Sequence, residues 1–492
     1  MKNIFFVLAL FAGCSTRSSI YQPHLAAEGD FVMVGNSSFA KYIEKDLSLS
    51  DLNEIQAKLK DSLTIAINNQ GFVQAANRNI QNKSDSTNYD AIWVRDSIWV
   101  YFSFVEQEEY QKAREIILNM WKYYSTEDQL RRFENIIAHP NLASEGGMNV
   151  PHIRFNGKSE KLADVMNKGR PEEWNHRQND AHGLFLLGLS IGFEKGFIKS
   201  ADITANYQKS FDLFIPYFKA IKYWDFEDAG AWEEISKINT SSISMVVRSL
   251  EHWEDLLAKR TDLKSMKWNH ALVKKLINKG YDRIRTNLKM GGESPDHDPL
   301  TSAYRREDAA LFNLFLPFPL KRLTEDEKLL GLTILEKLIR PYGVIRYPLD
   351  SYQSGNYWIK EKNLEGQPEL TGDSSSSDSF RTRFKQFIPG TEAQWFFDSK
   401  LSMIYLQFKS KDKKYMRRSL LHFKRALGQI TPEHGQVLAA DNNPVMNLAV
   451  PESVNTIVKD GIRTYVPSPI TPLNWAKASL SMAIIRLKKE LR

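Results

Sequence analysis

Apolar residues recur at intervals of three and four along most of this chain, the spacing that predicts amphipathic helices. The first helix is predicted from Asp51, which we interpret as the capping-box partner of Glu54, and Thr324 with Glu327 predicts the cap of a later one. Strand-like alternation is confined to short pieces, so the pattern indicates an all-α fold of about a dozen helices, which fits helices paired in a ring. After the first, the helical stretches fall at about 108–125, 180–195, 204–222, 240–258, 269–287, 305–316, 324–340, 392–408, 415–427 and 473–490.

We interpret the chain as one large domain, 46–492, preceded by a short arm. Length alone, 492 residues, suggests roughly three domains, but no Pro/Gly-rich linker occurs between 50 and 490. Residues 14–45 are predicted to form a tether and a packing arm, because an apolar patch, Phe31–Val34, interrupts a polar stretch. A run of serines, Ser374–Ser377, predicts a flexible surface loop.

The N-terminus has the pattern of a secretory signal. Its short apolar run, Ile4–Ala12, is too short to span a bilayer as a helix. Leu10–Cys14 resembles the bacterial lipoprotein box, although Phe11 stands where an aliphatic residue is usual. The resemblance implies removal of residues 1–13, acylation of Cys14 and a membrane anchor in the cell envelope. Plain secretion with cleavage nearby is the alternative.

Composition narrows the classes of function. The chain is 42% hydrophobic and 25% charged, and its net charge of +7 comes from 66 basic and 59 acidic residues. Because no Lys/Arg-rich run is present, we expect no nucleic-acid partner. Cys14 is the only cysteine, and His182 has no His or Cys at metal-binding spacing. The sequence also lacks a P-loop and a dinucleotide-binding glycine motif, so we expect neither a metal nor a cofactor.

The strongest candidate chemistry lies in Gly230–Ser242, where two adjacent acids precede the start of a helix. Glu233 and Glu234 must point in different directions, so one can lie in a cleft of low dielectric beside Trp232 while the other stays hydrogen-bonded or hydrated. Burial raises the pKa of a carboxylic acid and keeps it protonated near neutrality, as a general acid requires. The alternative is a surface helix whose acids favour the positive end of its dipole.

Two further Arg–Asp combinations suit the recognition of hydroxyl groups. Arg95 and Asp96 form a fork of donors and acceptors, and sugar hydroxyls both donate and accept hydrogen bonds. A lone Arg–Asp pair is more often a structural ion pair. Arg346 is a second such donor, and we expect Asp350 to be its structural partner. Asp180 lies at a helix start, where we expect it to act as a cap.

Four stretches resemble, in the same order, motifs of the glucoamylases of glycoside hydrolase family 15: Tyr89–Ser97, Trp174–Asp180, Gly230–Ser242 and Arg346–Tyr352. The chain is also similar to the glucoamylase-like region of phosphorylase kinase regulatory subunits, at Gln178–Leu187 and Glu392–Trp395. The matching parts extend from about Tyr89 to Ala483. This resemblance implies an (α/α)6 toroid whose loops form a funnel at one end.

The resemblance also implies roles for single residues. Glu233 matches the general acid of a family that hydrolyses with inversion, and Glu234 matches the neighbour that helps hold the sugar beyond the bond. Further substrate contacts are expected from aromatic and charged residues inside the matching motifs: Trp93, Arg95, Asp96, Trp174, Trp232 and Arg346.

The general base has two main candidates. Both precede Pro472, and Pro472 begins a stretch that resembles the last-helix motif of the family. Glu452 stands 20 residues before Pro472, and Glu433 stands 39 before it. The shorter spacing is closer to the family pattern, so we choose Glu452. Glu392 is a third candidate, although acids often collect at helix starts for structural reasons.

We therefore expect an exported, lipid-anchored, monomeric exo-acting α-glucosidase that releases glucose from malto-oligosaccharides or related α-glucans. A non-catalytic glucan-binding or regulatory protein on the same toroid is the first alternative. A trehalase or an α-1,6-glucosidase is the second. The expected partners are thus a glucan or oligosaccharide and, through Cys14, a membrane.

Overall fold

The computed structural model describes residues 19–492 except 77–90, 168, 264, 267, 300, 302, 351, 353–357, 363–367, 373–387 and 441, and it describes only the backbone of 358–362 and 368–372. Cys14, with the signal segment, and Ser374–Ser377 lie outside the described residues. Twelve helices of nine or more residues occur in the described part: α1 Leu49–Lys58, α2 Val94–Glu106, α3 Tyr110–Tyr124, α4 Glu127–Ala138, α5 Asn179–Glu194, α6 Ala205–Ala220, α7 Thr240–Lys259, α8 His270–Met290, α9 Glu325–Glu336, α10 Asp398–Leu406, α11 Lys413–Gly428 and α12 Asn474–Glu490.

Six segments form an inner ring. They are α2, α5, α7, the 3-10 helix Ala309–Leu314, α10 and α12. Neighbouring segments pack together around the ring, and the 3-10 helix meets the start of α10 through Phe312 and Phe397, whose ring centroids lie 5.3 Å apart. Packing of α12 on α2 closes the ring. These segments are buried almost all round, as helices in the middle of a large core must be.

The remaining helices form an outer layer. α3 packs on α2, α8 on α7, α9 on the 3-10 helix, α11 on α10 and α1 on α12. α6 covers α5, where the rings of Phe214 and Phe185 lie 5.9 Å apart, and α4 packs on α6. The predicted (α/α)6 toroid is therefore confirmed. The predicted helical stretches fall in both layers, and they miss α2 of the inner ring and α4 of the outer layer.

Two local predictions need correction. The stretch 305–316 forms the short 3-10 helix Ala309–Leu314. The cap of α1 pairs Ser48 with Asp51, because the Ser48 hydroxyl accepts from the Asp51 N–H and the Asp51 carboxylate accepts from the Ser48 N–H. Glu54 instead accepts a hydrogen bond from the Tyr42 hydroxyl. The capping box of Thr324 and Glu327 is confirmed.

Shorter helices connect the large ones: Ala40–Ile43, Lys60–Leu63 and Leu142–Glu145, with 3-10 turns at Ser37–Phe39, Ser200–Asp202, Gly230–Trp232 and Thr261–Leu263. The strands are also short and pair antiparallel: β1 Gln22–Leu25, β2 Phe31–Val34, β3 Ile92–Trp93, β4 Arg154–Phe155, β5 Met166–Asn167, β6 Arg170–Pro171, β7 Ile339–Arg340, β8 Gly343–Val344, β9 Trp358–Lys362, β10 Pro368–Gly372, β11 Gln394–Trp395, β12 Val437–Leu438, β13 Pro444–Val445, β14 Ser453–Lys459 and β15 Ile462–Pro467. The largest sheet has the order β15-β14-β11-β8-β7, and Glu452 directly precedes its β14.

The described part of the N-terminal arm is a β-hairpin on the outer layer. β1 and β2 pair from Gln22 opposite Val34 to Leu25 opposite Phe31, and β2 packs on α11. Lys424 of α11 is fully buried and donates to the carboxylate of Glu28 at 2.7 Å. The arm is thus held by an ion pair as well as by apolar contact.

The inner α-helices all begin at the same end of the ring. Residues at or just before the starts of α2, α5, α7, α10 and α12 line one cavity there. Helix N-termini carry partial positive charge and unpaired N–H groups, so this end of the ring favours carboxylates and hydroxyl oxygens. None of the helices within the described ranges combines the length and apolar character that a membrane crossing needs.

Candidate active site

A cavity of about 350 Å³ opens at this end of the ring. Its walls contain tryptophan side chains and carboxylates, a composition that offers both apolar faces and hydrogen-bond acceptors. The lining includes all but one of the predicted catalytic and substrate-binding residues: Trp93, Arg95, Asp96, Trp174, Trp232, Glu233, Arg346 and Glu452. The exception is Glu234, which lines an adjoining second cavity.

Glu233 sits in a tight turn between the 3-10 helix Gly230–Trp232 and α7. Its φ of 61° is in the left-handed region, where residues other than glycine are uncommon. The side chain is 15% exposed. Its two oxygens accept hydrogen bonds from Arg95 Nη1 at 3.1 Å and from Trp93 Nε1 at 3.2 Å. The strained turn therefore directs this carboxyl group into the cavity while its neighbour points inward.

Gly230 makes this turn possible. Its φ is 61°, and a Cβ at this position would lie 2.8 Å from the side chain of Asn239. Asn239 donates from Nδ2 to the carbonyl and the carboxylate of Asp228, at 2.8 and 2.7 Å. The loop before Glu233 is thus tied to the residue that precedes α7.

Glu234 is buried, and it lies in a cluster of cations. Its carboxylate accepts from Arg346 Nη2 at 3.0 Å, from Arg305 Nη2 at 3.4 Å and from the Tyr347 hydroxyl at 2.5 Å. Burial alone would raise the pKa of Glu234, but attraction to Arg346 and Arg305 outweighs it and lowers the pKa to about 2. Glu234 is therefore an anion at neutral pH.

Arg95 is buried and makes more than one ion pair. Its Nε donates to Asp180 at 2.6 Å, and its Nη2 donates to Gln178 at 2.6 Å and to the Gly230 carbonyl at 3.0 Å. The prediction that Asp180 caps a helix is wrong, because α5 has no side-chain cap and Asp180 holds Arg95 instead. The contact could not be read from local sequence, since the two residues are 85 positions apart.

Asp96 faces the same cavity from the first turn of α2. Burial raises its pKa to about 7, the attraction of Arg95 opposes that rise, and repulsion from Glu233 adds to it. Asp96 therefore changes charge near neutral pH, unlike a typical surface aspartate.

Arg346 connects the cavity wall to the cluster around Glu234. It pairs with Asp350 through Nε at 2.6 Å and Nη2 at 2.7 Å, so the expected structural partner is confirmed. Its guanidinium carbon lies 5.3 Å from the ring centroids of both Trp232 and Trp395. The Trp232 indole N–H donates to Asp308 at 2.7 Å. These contacts fix the indole of Trp232 as a rigid part of the wall.

The opposite wall is formed by Trp93 and Trp174, whose ring centroids are 6.2 Å apart at 74°. Arg154 packs against both rings, with its guanidinium carbon 4.0 Å from the Trp174 centroid and 4.8 Å from that of Trp93. It also donates to Glu172 at 2.7 Å. The wall is therefore built from stacked cation and indole groups that leave little freedom to the rings.

The three candidate bases occupy different places. Glu452 is buried at the start of β14 and lines the cavity; its N–H donates to the Ile470 carbonyl and its carbonyl accepts from the Phe396 N–H. Glu433 is paired with Lys58 at 2.6 Å and is absent from the cavity lining. Glu392 accepts a hydrogen bond from the Leu349 N–H at 2.8 Å and also lies outside the lining.

Several lining residues were not among the predicted site residues: Ala75, Glu172, Glu173, Asn175, Tyr352, Trp395, Leu473 and Trp475. Trp395, Tyr352 and Trp475 lie inside the matching motifs, so a stricter use of those motifs would have found them. Arg305 and Asp308 carry no local signal. They became visible only as partners of Glu234 and Trp232.

A second cavity of about 750 Å³ adjoins the first. Glu233 and Asn175 line both, and Arg177, Ser236 and His297 contribute to the second alone. Glu233 therefore stands between a small cavity rich in indoles and a larger polar one that opens towards solvent.

His152, Asp164 and His176 lie close together below the Trp174 wall, with ligand atoms within 4.8 Å of one another. The imidazole rings of His152 and His176 are stacked, with their centroids 3.7 Å apart and an angle of 15° between their planes. The nitrogens of the two rings therefore lie in nearly parallel planes. The His152 nitrogens contact Asp164 at 2.6 Å and the Met148 carbonyl at 3.0 Å. Both nitrogens of His152 are therefore within hydrogen-bond distance of neighbouring groups, and Nδ1 of His176 accepts a hydrogen bond from the Ile153 N–H at 3.3 Å.

The chain matches the family described as "Glycosyl hydrolases family 15" over residues 52–368. It is 36% identical over 162 residues to the uncharacterized lipoprotein YgeQ of Escherichia coli (strain K12), a match that spans 32% of this chain and 61% of that relative. It is 32% identical over 96 residues to the putative protein YgeP of the same organism, covering 20% of this chain and 92% of that relative.

Among solved structures, the chain is similar to a glycosidase variant in complex with glucose, with a TM-score of 0.58 and 14% identity over 90% of this chain and 98% of the other. It is also similar to a glucoamylase from Saccharomycopsis fibuligera, with a TM-score of 0.51 and 16% identity over 92% and 98% of the two chains. At these identities the likeness shows the shared fold.

Proposed function

Because this chain belongs to glycosyl hydrolase family 15, we propose that it is an exo-acting hydrolase that releases glucose from malto-oligosaccharides or related α-glucans with inversion. The observation that carries the proposal is that Glu233 and Glu452 line one small cavity, while Glu433 is paired with Lys58 elsewhere. Inversion needs an acid on the leaving oxygen and a base on a water at the opposite face, with the carboxyl groups about 6.5–9.5 Å apart.

The small cavity receives the terminal sugar. At about 350 Å³ it is at the low end of the range for ligand pockets, which suits a single sugar unit. Asp96 and the guanidinium of Arg95 accept and donate hydrogen bonds to its hydroxyls. Indole faces of Trp93, Trp174 and Trp232 enclose the apolar faces of the ring.

Glu233 donates its proton to the leaving oxygen, and the larger adjoining cavity receives the departing part of the substrate. Glu452 activates a water on the far side of the sugar. Glu234 remains ionised at the edge of the larger cavity and holds Arg346 and Arg305. The product is β-glucose, because attack from the opposite face inverts the anomeric centre.

The test uses the chain from Ser15 onward with maltotriose, isomaltose and trehalose as separate substrates. Proton NMR in the first minutes should show β-glucose from at least one of them, and Glu233→Gln should abolish the signal, while Glu433→Gln keeps it. Maltotriose decides the stereochemistry, because its leaving group is maltose and all the glucose first released is the cleaved unit; initial α-glucose from maltotriose would exclude inversion, whereas trehalose and isomaltose also release a leaving glucose that is partly or wholly α. Absence of glucose with every substrate, in a folded protein, would favour the glucan-binding alternative.

We also propose that the protein is attached to a membrane of the cell envelope through an acylated Cys14. The Gly13-Cys14 junction after an apolar run supports this, as does the name of YgeQ, a lipoprotein. Metabolic labelling with a fatty acid should mark the full-length chain and not Cys14→Ala, which should leave the membrane fraction. An unlabelled wild-type chain would refute the anchor.

A further inference from the structure

Asp308 is a fully buried acid that does not line the small cavity. It is the N-cap of the 3-10 helix Ala309–Leu314 in the inner ring, and its Oδ1 accepts a hydrogen bond from the Ala310 N–H at 2.8 Å. The same oxygen accepts the indole N–H of Trp232 at 2.7 Å. One carboxyl group therefore joins a segment of the inner ring to the residue directly before Glu233.

The bond to Asp308 fixes the direction of the Trp232 ring. An indole has one hydrogen-bond donor and no acceptor, so this is the only hydrogen bond that the ring makes. Trp232 also packs against the rings of Phe397 and Trp395, at centroid distances of 5.7 and 6.1 Å. Ring contacts of this kind tolerate a range of angles, whereas a hydrogen bond weakens steeply away from its axis. An ionised and a protonated Asp308 both keep an oxygen that accepts the indole proton.

Arg305 extends the contact to the residue after Glu233. Its Nη1 lies 3.7 Å from Asp308 Oδ2, and its Nη2 donates to Glu234 Oε2 at 3.4 Å. All three side chains are buried, so water competes little for these contacts. Both neighbours of Glu233 are thus held from one place, Trp232 by Asp308 itself and Glu234 through Arg305.

Glu233 depends on such contacts because its backbone is strained. Its φ of 61° lies in the left-handed region, which a residue other than glycine keeps only where the surrounding structure enforces it. Arg95 holds the carbonyl of Gly230, three residues earlier, at 3.0 Å. The bond from Trp232 to Asp308 acts directly beside the strained residue.

We propose that Asp308 is a positioning residue, which holds the Trp232 indole and thereby directs the carboxyl group of Glu233 towards the leaving oxygen. The role of Glu233 as the acid rests on the proposed function, whereas the hold on Trp232 does not. Without Asp308 the indole is free to turn, and the strained backbone beside it relaxes. The acid is then misplaced, although no group that touches the substrate has been removed.

Proton exchange at the Trp232 indole measures this hold directly. The protein is labelled with ¹⁵N-tryptophan, and the Trp232 signal is assigned by its loss in Trp232→Phe. In Asp308→Ala the exchange rate of this proton should rise about tenfold or more, because the bond that protects it is missing. Asp308→Asn keeps an acceptor oxygen, so its rate should stay within about threefold of the wild type.

Trp253 is the internal control, since its indole N–H donates to a backbone carbonyl at 2.8 Å and not to Asp308. Its exchange rate should not change. Asp412→Ala is the matched variant, because Asp412 caps α11 in the same way, by accepting from the N–H of Lys414 at 2.9 Å. It should leave the Trp232 rate unchanged. An unchanged Trp232 rate in folded Asp308→Ala overturns the proposal, and so does an equal rise at Trp253.

The kinetic test compares maltotriose with α-glucosyl fluoride. The leaving oxygen of maltotriose needs a proton from Glu233, whereas fluoride departs without a general acid. Asp308→Ala should lower kcat on maltotriose by about 10- to 10²-fold, as a misplaced catalytic group does, and lower kcat on the fluoride much less. Asp308→Asn should restore most of the loss. An equal loss on both substrates would overturn the link between Asp308 and Glu233.

Trp232→Phe tests the same bond from the other side if Asp308→Ala does not fold. It removes the donor and keeps an aromatic ring, so it should show the same selective loss on maltotriose; a loss that is equal on both substrates counts against the proposal. If the wild type hydrolyses neither substrate, the proposed function fails, and the exchange rates still decide whether Asp308 holds Trp232.

Discussion

At the scale of single residues, Glu233 and Glu234 show how one turn separates two equivalent side chains. The left-handed backbone at Glu233 sends its carboxyl group into the cavity, and the next side chain is buried among Arg305, Arg346 and Tyr347. An anion in that position neutralises the charge of two buried guanidinium groups, because burying them without a counter-charge would destabilise the fold. Glu234 therefore supports the wall that Glu233 and Trp232 share.

The assignment of Glu452 as general base gives the first prediction. Glu452→Gln keeps the shape of the side chain and removes its basicity, so kcat should fall by about 10²–10⁴-fold. The dissociation constant for the substrate, measured by calorimetry on the inactive variant, should change little.

Glu433→Gln is the matched control, because Glu433 pairs with Lys58 outside the cavity. It should retain near-native kcat. If it is the inactive variant instead, the two assignments are reversed. If both variants keep their kcat, the base lies elsewhere, and Glu392 is the next candidate.

At the scale of helices, the inner ring depends on close approach between neighbours. Gly183 of α5 faces α7, and a Cβ added there would lie 2.7 Å from the backbone of Met245 and Val246. Backbone atoms cannot move aside as a side-chain tip can, so glycine is required for this spacing. α7 begins directly after the Glu233 loop, and its position therefore depends on the contact with α5.

Gly183→Ala should lower the free energy of unfolding by about 1–3 kcal/mol, as overpacking in cores does, despite the better helix propensity of alanine. Gly188→Ala in the same helix is the control. Its Cβ would meet only side-chain atoms of Ile117, Ile98 and Tyr101, at 3.2–3.3 Å. Urea unfolding of both variants measures the difference. Equal stability of the two would show that α5 and α7 can separate without cost.

At the scale of the whole molecule, buried ionisable groups couple stability to pH. Burial, followed by repulsion from Asp308, raises the pKa of Glu293 to about 8, and burial raises that of Asp228 to about 7. In the unfolded chain these acids titrate near pH 4. The native state thus binds more protons than the unfolded state up to pH 8, and these groups make stability fall as pH rises.

Buried histidines act in the opposite direction at lower pH. Burial lowers the pKa of His182 and His252 to about 3, so the unfolded chain binds more protons than the native state between about pH 3 and 6.5. The decrease in stability that Glu293 and Asp228 cause is therefore clearest between about pH 6.5 and 8.

We expect the midpoint of thermal unfolding to decrease from pH 6.5 to pH 8 in the wild type. Glu293→Gln should weaken this dependence of stability on pH. The neutral amide keeps the shape of the side chain but does not titrate, so it contributes no pH-dependent term to the free energy of unfolding. One such group contributes at most about 1.4 kcal/mol per pH unit. Calorimetry across this range measures the slope.

Glu160→Gln, a change at an exposed acid, should keep the slope of the wild type. An equal slope in wild type and Glu293→Gln would show that Glu293 is already ionised in the native protein at pH 6.5.

From the sequence by itself, periodicity located most helices of both layers, and the resemblance of short motifs implied the toroid and the candidate acid, because such signals act over a few residues. Periodicity did not reveal α2, whose residues are buried on almost every side and so show little contrast between a hydrated and a buried face, nor the outer helix α4. The choice of Glu452 over Glu433 rested only on spacing from Pro472, whereas the structure shows that Glu452 lines the cavity and Glu433 does not.

Only the tertiary structure decided which charges meet. Arg95 contacts Asp180 and Glu233, 85 and 138 positions away, and Glu234 contacts Arg346, 112 positions away. The pKa of a buried carboxyl group depends on such neighbours and on the exclusion of water, and both arise when the ring closes. Local sequence specifies which groups can ionise, but their surroundings in the folded protein decide which of them do.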